Sequence, residues 1–102
     1  MAFKIIIKPI VFLDAEEAIL YYENQSSGLG KKFYDQFLLS LNNIQLNPFT
    51  HSFVKEPVRR CMVIKFPYKI YYLVYQETIF ILGISHAKRS NAFIKKRIGL
   101  FQ

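Results

Sequence analysis

The stretch "TIFILGISH", residues 78–86, constrains the fold more than any other part of the chain. In an extended strand, successive side chains point to opposite faces. Ile79 and Ile81 then lie on one face, and Phe80, Leu82 and Ile84 on the other. A strand apolar on both faces belongs in the middle of a sheet, covered twice. Helices packed on one side cover one face only. The second face needs another cover, a role open to a partner protein. Two further strand candidates precede it, "RRCMVIKF" and "YKIYYLVY", with turns at Pro67 and at Gln76-Glu77. Turns this short make the three strands an antiparallel meander.

The first half reads as one strand and two helices. "AFKIIIK" favours a strand at about residues 3–8, which Pro9 stops because it cannot donate to a ladder. "LDAEEAILYYENQ" reads as a helix with Asp14 as N-cap, Glu16 and Glu17 in its first turn, and Ala15, Ile19 and Tyr22 on one apolar face. "SSGLG" is a loop. "LGKKFYDQFLLSLNNIQLNP" reads as a second helix with a stripe of Phe33, Phe37, Leu41 and Ile44, ended by Asn47-Pro48. So short a loop makes the pair an antiparallel hairpin. "FTHSFVKEP" reads as an irregular connector, and the chain closes on a short basic tail. The expected architecture is α+β: one domain over residues 1–102, in the order β-α-α-β-β-β. A curved antiparallel sheet carries the helical hairpin on one face.

With 52% hydrophobic and 17% aromatic residues, the chain is not intrinsically disordered. Ten Phe and seven Tyr are many for 102 residues, and imply that some rings sit under a partner. Cys61 is the only cysteine, which excludes a disulfide framework and a Cys-based zinc site. It reads as a buried structural thiol. No signal peptide and no membrane-length apolar run is present, so a soluble cytoplasmic protein is expected. The net charge is +7, from 14 Lys and Arg against 7 Asp and Glu, and after Asp35 only Glu56 and Glu77 are acidic. That field suits nucleic acid, an acidic protein segment or an anionic surface.

Several segments, together spanning about Phe3 to Arg97, resemble the RelE/ParE superfamily of small bacterial toxins from type II toxin–antitoxin pairs. They are "AILYYENQSSGLGKKFYDQF", "IQLNP", "RRCMVIKFPYKIYYLV" and "ISHAKRS". The resemblance implies growth arrest when the toxin is free. It also implies an acidic, amphipathic antitoxin that wraps it and bridges it to operator DNA, and no cofactor or metal. One branch of the superfamily cleaves mRNA on the ribosome; the other poisons DNA gyrase. "YYENQSSGLGKKF" and "FPYKIYY" look more ParE-like, and no tyrosine follows Tyr75. The expectation is therefore a ParE-like gyrase poison. The alternatives are a RelE-like ribosome-dependent mRNA endoribonuclease and an inactive member that only binds its antitoxin.

Metal-free RNA cleavage by 2′-hydroxyl attack needs a base, an acid and cations around the phosphorane. The candidates are His86, Arg59, Arg60, Lys65 and Arg89, with Lys55 as a further cation. Arg59 and Arg60 point to opposite faces of one strand, and Arg59 and Lys65 are roughly 20 Å apart if the strand is continuous. Tight pairing around Gln76-Glu77 places His86 near Tyr68 and Pro67. Candidate antitoxin or target contacts are Lys55, Arg60, Tyr71, Tyr75, Lys88, Arg89 and Lys95. The plainer reading of "ISHAKRS" is a strand end with a basic rim, and of His51 a loop residue.

Overall fold

The computed structural model describes residues 3–99. Strand β1 (Lys4–Ile7) gives way at once to helix α1 (Pro9–Gln25). Lys8 is extended, φ −63° and ψ 140°, because a following proline disfavours helical backbone. Pro9 then occupies the first helical turn, where a missing N–H removes nothing. Asp14, expected as the N-cap, therefore lies inside the helix, and the first turn holds no acid.

Helix α2 (Leu29–Leu46) follows Gly28, whose φ of 88° suits glycine. The Glu23 carboxylate accepts the N–H groups of Gly28 and Gly30 at 3.0 Å, so an anion from α1 caps the positive end of α2. Gly30 also permits the close crossing of the two helices. A Cβ there would lie 2.7 Å from the Ile19 carbonyl oxygen. The whole expected stripe, Phe33, Phe37, Leu41 and Ile44, is buried. The helix stops short of Pro48, as expected.

Four strands follow: β2 (Phe53–Lys55), β3 (Val58–Met62), β4 (Tyr68–Tyr75) and β5 (Thr78–His86). Part of the connector expected to be irregular is thus an edge strand, short and bulged between Phe53 and Lys55. The sheet order is β1-β5-β4-β3-β2, and β5 is indeed interior. The sheet is mixed rather than wholly antiparallel, because β1 pairs parallel to β5, from Lys4 opposite Thr78 to Ile7 opposite Ile81. The return leg of the helical hairpin starts β2 antiparallel to β1, and three further reversals bring β5 back in the direction of β1.

A bulge corrects the expected faces of β5. Tyr71 is opposite Gly83 but Tyr72 is opposite Ile81, so Leu82 is the extra residue. The bulge shifts the alternation by one. Ile84 joins Ile79 and Ile81 against the helical hairpin, while Leu82 faces the other side. His86, two residues beyond Ile84, is carried to the hairpin side as well.

The other face has its own cover, supplied by this chain. The expected basic tail forms helix α3 (Ala92–Gly99), and Ile94 is buried with Val58, Tyr71 and Leu82. Eight residues do not hold a helix alone in water; packing on the sheet holds this one. The cover is partial, since Tyr75 remains 64% exposed. Among the described residues no helix is long and apolar enough to cross a membrane.

The strand β1 ends its pairing at Ile81, where the Lys8 N–H donates to the Ile81 carbonyl at 3.3 Å. Beyond that point two side chains take over the edge of β5. The Ile84 N–H donates to Asp14 Oδ2 at 3.0 Å, and Arg97 Nη1 donates to the Leu82 carbonyl at 3.4 Å. The two side chains also pair with each other, Nη1 to Oδ2 at 2.5 Å and Nη2 to Oδ1 at 3.0 Å. Both are mostly buried, at 11% and 13% exposure. Removing one member of a buried ion pair strands the other. Asp14→Ala is expected to lower stability by about 3 kcal/mol, read as a fall in the urea midpoint. Asp14→Ala/Arg97→Met is expected to recover part of that loss.

Candidate functional site at the end of β5

The bulge and the register together assemble a small polar site at the end of β5. His86 stands opposite Tyr68, with their rings 5.3 Å apart edge to face. The Ala87 N–H donates to the Pro67 carbonyl at 2.7 Å, closing the strand end. The Lys88 N–H donates to His86 Nδ1 at 3.1 Å. In neutral His86 the proton is therefore on Nε2, which can donate outward. A cavity of about 130 Å³ opens beside it, with Asp14, Glu17, Tyr68, His86 and Arg89 in its lining. Burial first, then the neighbouring Tyr22, Tyr21 and Glu17, push the Tyr68 hydroxyl up from its usual pKa. It stays a proton donor at neutral pH.

The rim 87–91 rests on buried polar groups from the α3 side. Lys69 is only 3% exposed, and its Nζ donates to the Arg89 carbonyl at 3.0 Å and to Asn91 Oδ1 at 3.2 Å. The Tyr71 ring lies 5.5 Å from the ammonium. The Tyr71 hydroxyl shares a hydrogen bond with Ser85 Oγ at 3.1 Å and donates to Asn91 Oδ1 at 3.4 Å. No ion pair of Lys69 occurs among the described residues. Carbonyl dipoles and an aromatic face hold this cation. The Arg89 guanidinium stacks 4.1 Å from the Phe93 ring and is exposed.

The expected catalytic residues do not converge. His86 and Arg89 share the cavity, whereas Lys65 is not among its lining residues and lies in the β3–β4 turn, exposed and with φ 69°. Arg59 is elsewhere. It pairs with Tyr72, four positions along β4 from Tyr68, roughly 13 Å away. Its Nη1 donates to the carbonyls of Phe49 at 3.1 Å and His51 at 2.6 Å, and its guanidinium lies 3.9 Å from the centre of Phe53. Arg59 fastens the 47–52 connector to the sheet. Arg60 is exposed on the opposite face, as strand alternation requires.

The expected contact residues divide in the same way. Lys55, Tyr75, Lys88 and Lys95 are exposed, whereas Tyr71 is fully buried and has no surface to offer. Cys61 is buried, as expected, and burial raises its thiol pKa. Among the described residues no group of three or more His, Cys, Asp or Glu is placed to hold a metal. Sequence reasoning passed over Lys69, Glu17 and Asn91. Lys69 carried a signal, since a lysine inside an eight-residue run of Tyr, Ile, Leu and Val is either on an edge or buried with partners.

The fold is shared with solved structures from toxin–antitoxin systems. The chain superposes on a chain of the chromosomal ParDE TA system from P. aeruginosa with a TM-score of 0.72 at 14% identity, covering 84% of this chain and 97% of that one. It superposes equally well on a mutant of the E. coli toxin RelE in the free state, TM-score 0.72 at 13% identity, over the full length of both. No protein-family model matches the sequence, and no curated protein does. The expected RelE/ParE fold is therefore borne out, with the mixed sheet and the third helix as its corrections.

The 47–52 connector generates a pH prediction. Burial and then the Arg59 charge lower the pKa of His51 below its usual 6.5. The unfolded chain then binds a proton on His51 that the folded chain refuses. This contribution to stability is complete above the unfolded pKa and is lost as pH falls through and below it. His51→Gln is expected to flatten the fall in melting temperature between neutral and mildly acidic pH, measured beside the parent protein.

The buried ammonium generates another. Lys69→Met removes both hydrogen bonds to the rim, leaving the Arg89 carbonyl without its Lys69 donor and Asn91 Oδ1 with the Tyr71 hydroxyl alone. It is expected to reduce stability by about 2 kcal/mol, read by chemical denaturation.

Proposed function

We propose that this chain is the toxin of a type II toxin–antitoxin module, and that it arrests growth by binding its target rather than by cutting RNA. The observation that carries the mechanism is the separation of the cations. Arg59 holds the connector, Lys69 is buried under the rim, and Arg60 faces away from His86. Among the described residues, Arg89 is the one arginine that lines the cavity beside the histidine. Stabilising a phosphorane requires such donors to be preorganised around it. A surface that docks on a target needs no such cluster. The reading is therefore ParE-like, with DNA gyrase as target, in the cytoplasm.

The partner implied is an acidic antitoxin. The sheet end around Tyr75 and the cations Lys55, Lys88, Arg89 and Lys95 supply apolar surface and positive charge for it. An acidic amphipathic segment is one of the modes by which such a surface is bound.

A second reading has one observation in its favour. His86, Tyr68 and Arg89 meet at one small cavity, and Nε2 of His86 is a donor. A proton donor and a cation there would suit the leaving-group side of RNA cleavage.

Expression without antitoxin, followed by two assays, separates the readings. The expected result is growth arrest with a DNA-damage response, inhibition of gyrase supercoiling by purified protein, and intact mRNA in a reconstituted translation reaction. His86→Ala is expected to leave the arrest in place. Cleavage of mRNA that disappears in His86→Ala would establish the ribonuclease instead. No arrest and no inhibition would leave a protein that only binds its antitoxin.

A further inference from the structure

The rim after β5 contains one hydrogen bond whose existence depends on a proton. His86 Nδ1 accepts the Lys88 N–H at 3.1 Å. Acceptor and amide are two residues apart, the spacing of an Asx turn, in which an Asn or Asp oxygen takes the same role. An amide oxygen accepts at every pH. An imidazole nitrogen accepts only while it carries no proton, and histidine is the side chain that titrates in the physiological range. In the imidazolium both ring nitrogens are donors. Turning the ring over then exchanges one N–H for the other. No orientation of a charged His86 presents an acceptor to Lys88.

The surroundings decide what a charge on the ring does. From β4, Tyr68 meets it edge to face at 5.3 Å, and its hydroxyl, raised in pKa first by burial, keeps its proton. From α1, Glu17 and Asp14 share its cavity. Asp14 is already taken by Arg97 and the Ile84 amide, whereas Glu17 makes no ion pair among the described residues. From the rim, Arg89 lines the cavity and Lys88 is exposed. A charged imidazole is drawn to Glu17 and repelled by Arg89. The neighbours of Lys88 are fixed without the ring. The Ala87 N–H donates to the Pro67 carbonyl at 2.7 Å, and the Arg89 N–H to the His86 carbonyl at 3.0 Å. The Arg89 carbonyl is held from below by Lys69 Nζ at 3.0 Å. Protonation therefore frees one peptide between two anchored ones.

We propose that His86 is a pH-sensitive latch on this rim. Neutral, it fixes the Lys88 peptide; protonated, it releases that peptide and adds a cation beside Arg89. Where the rim docks an anionic partner, that partner meets a different surface on each side of the titration. This consequence rests on the docking reading above. The latch itself does not, and its test needs no partner.

The test is the protection of backbone amides against exchange with water, measured by NMR on the whole chain from about pH 5 to about pH 8. Rates are divided by the intrinsic rate at each pH, and the His86 ring is titrated in the same samples. In the parent protein, Lys88 protection is expected to fall about fivefold on acidification, along the titration curve of the ring. His86→Asn, which can close an Asx turn at any pH, is expected to protect Lys88 throughout. His86→Ala is expected to leave it unprotected throughout. The Ala87 amide is expected to keep its protection in all three proteins. If a variant is unfolded, the scalar coupling across the N–H···N bond from Lys88 to Nδ1 decides in the parent, present with the neutral ring and absent with the charged one. Lys88 protection or coupling that does not follow the ring overturns the proposal. So does equal protection in the parent and His86→Ala at the alkaline end. Loss of Ala87 together with Lys88 overturns it too, since the strand end would then open as a whole.

Discussion

The ion pair between Asp14 and Arg97 ties together parts of the chain that are 83 residues apart. It exists because β1 is short. Once Pro9 turns the chain into α1, the edge of β5 beyond Ile81 has no neighbouring strand, yet it lies inside the molecule. Buried backbone groups must be paired with something. Asp14 accepts from the Ile84 amide and Arg97 donates to the Leu82 carbonyl, so two side chains do the work of a missing strand. An ion pair that only joined two surface helices would contribute little. This one also satisfies the ladder and fixes α3 against Gly83, where a Cβ would lie 2.9 Å from Arg97 Nη1.

The rest of the site inherits its position from that edge. The bulge at Leu82 turns His86 to the hairpin side, next to Tyr68 and Glu17. On the other side of the sheet, Lys69 and Asn91 hold the rim from below. The exposed cations of the rim are thus mounted on buried, fully bonded groups. No buried side-chain nitrogen or oxygen lacks a partner among the described residues. Rigid support of this kind suits a surface that must meet a partner in one geometry.

Much of this was legible in the sequence, for physical reasons. The stripe from Phe33 to Ile44 and the all-apolar run around Ile79 to Leu82 reflect burial directly, and burial leaves a period. Pro9, Pro48, Pro67 and the Gln76-Glu77 turn act through local sterics, so they also read correctly. What did not read was non-local. Asp14 has the chemistry of an N-cap, but its use depends on an arginine near the far end of the chain and on a strand edge left bare. Helix α3 has too few residues to announce itself and exists because Ile94 is buried. The bulge at Leu82 leaves no mark in composition, and it decided the face of Ile84. The direction of β1 depends on the topology of the whole sheet. At the site, His86 beside Tyr68 followed from strand pairing. The roles of Arg59 and Lys69 did not, because both are set by carbonyls in distant loops.

The claim that the Asp14–Arg97 pair holds the β5 edge and α3 as one unit is tested most directly by amide hydrogen exchange, residue by residue, in the parent protein and in Asp14→Asn. Cooperative units exchange together. The Ile84 amide and the amides of α3 are predicted to lose protection together in the variant, while the interior of α2 and the β4–β5 pairing near Tyr72 keep theirs. If Ile84 and α3 exchange at unchanged rates, or if α3 alone loosens while Ile84 stays protected, the pair does not couple them and this account of the fold is wrong.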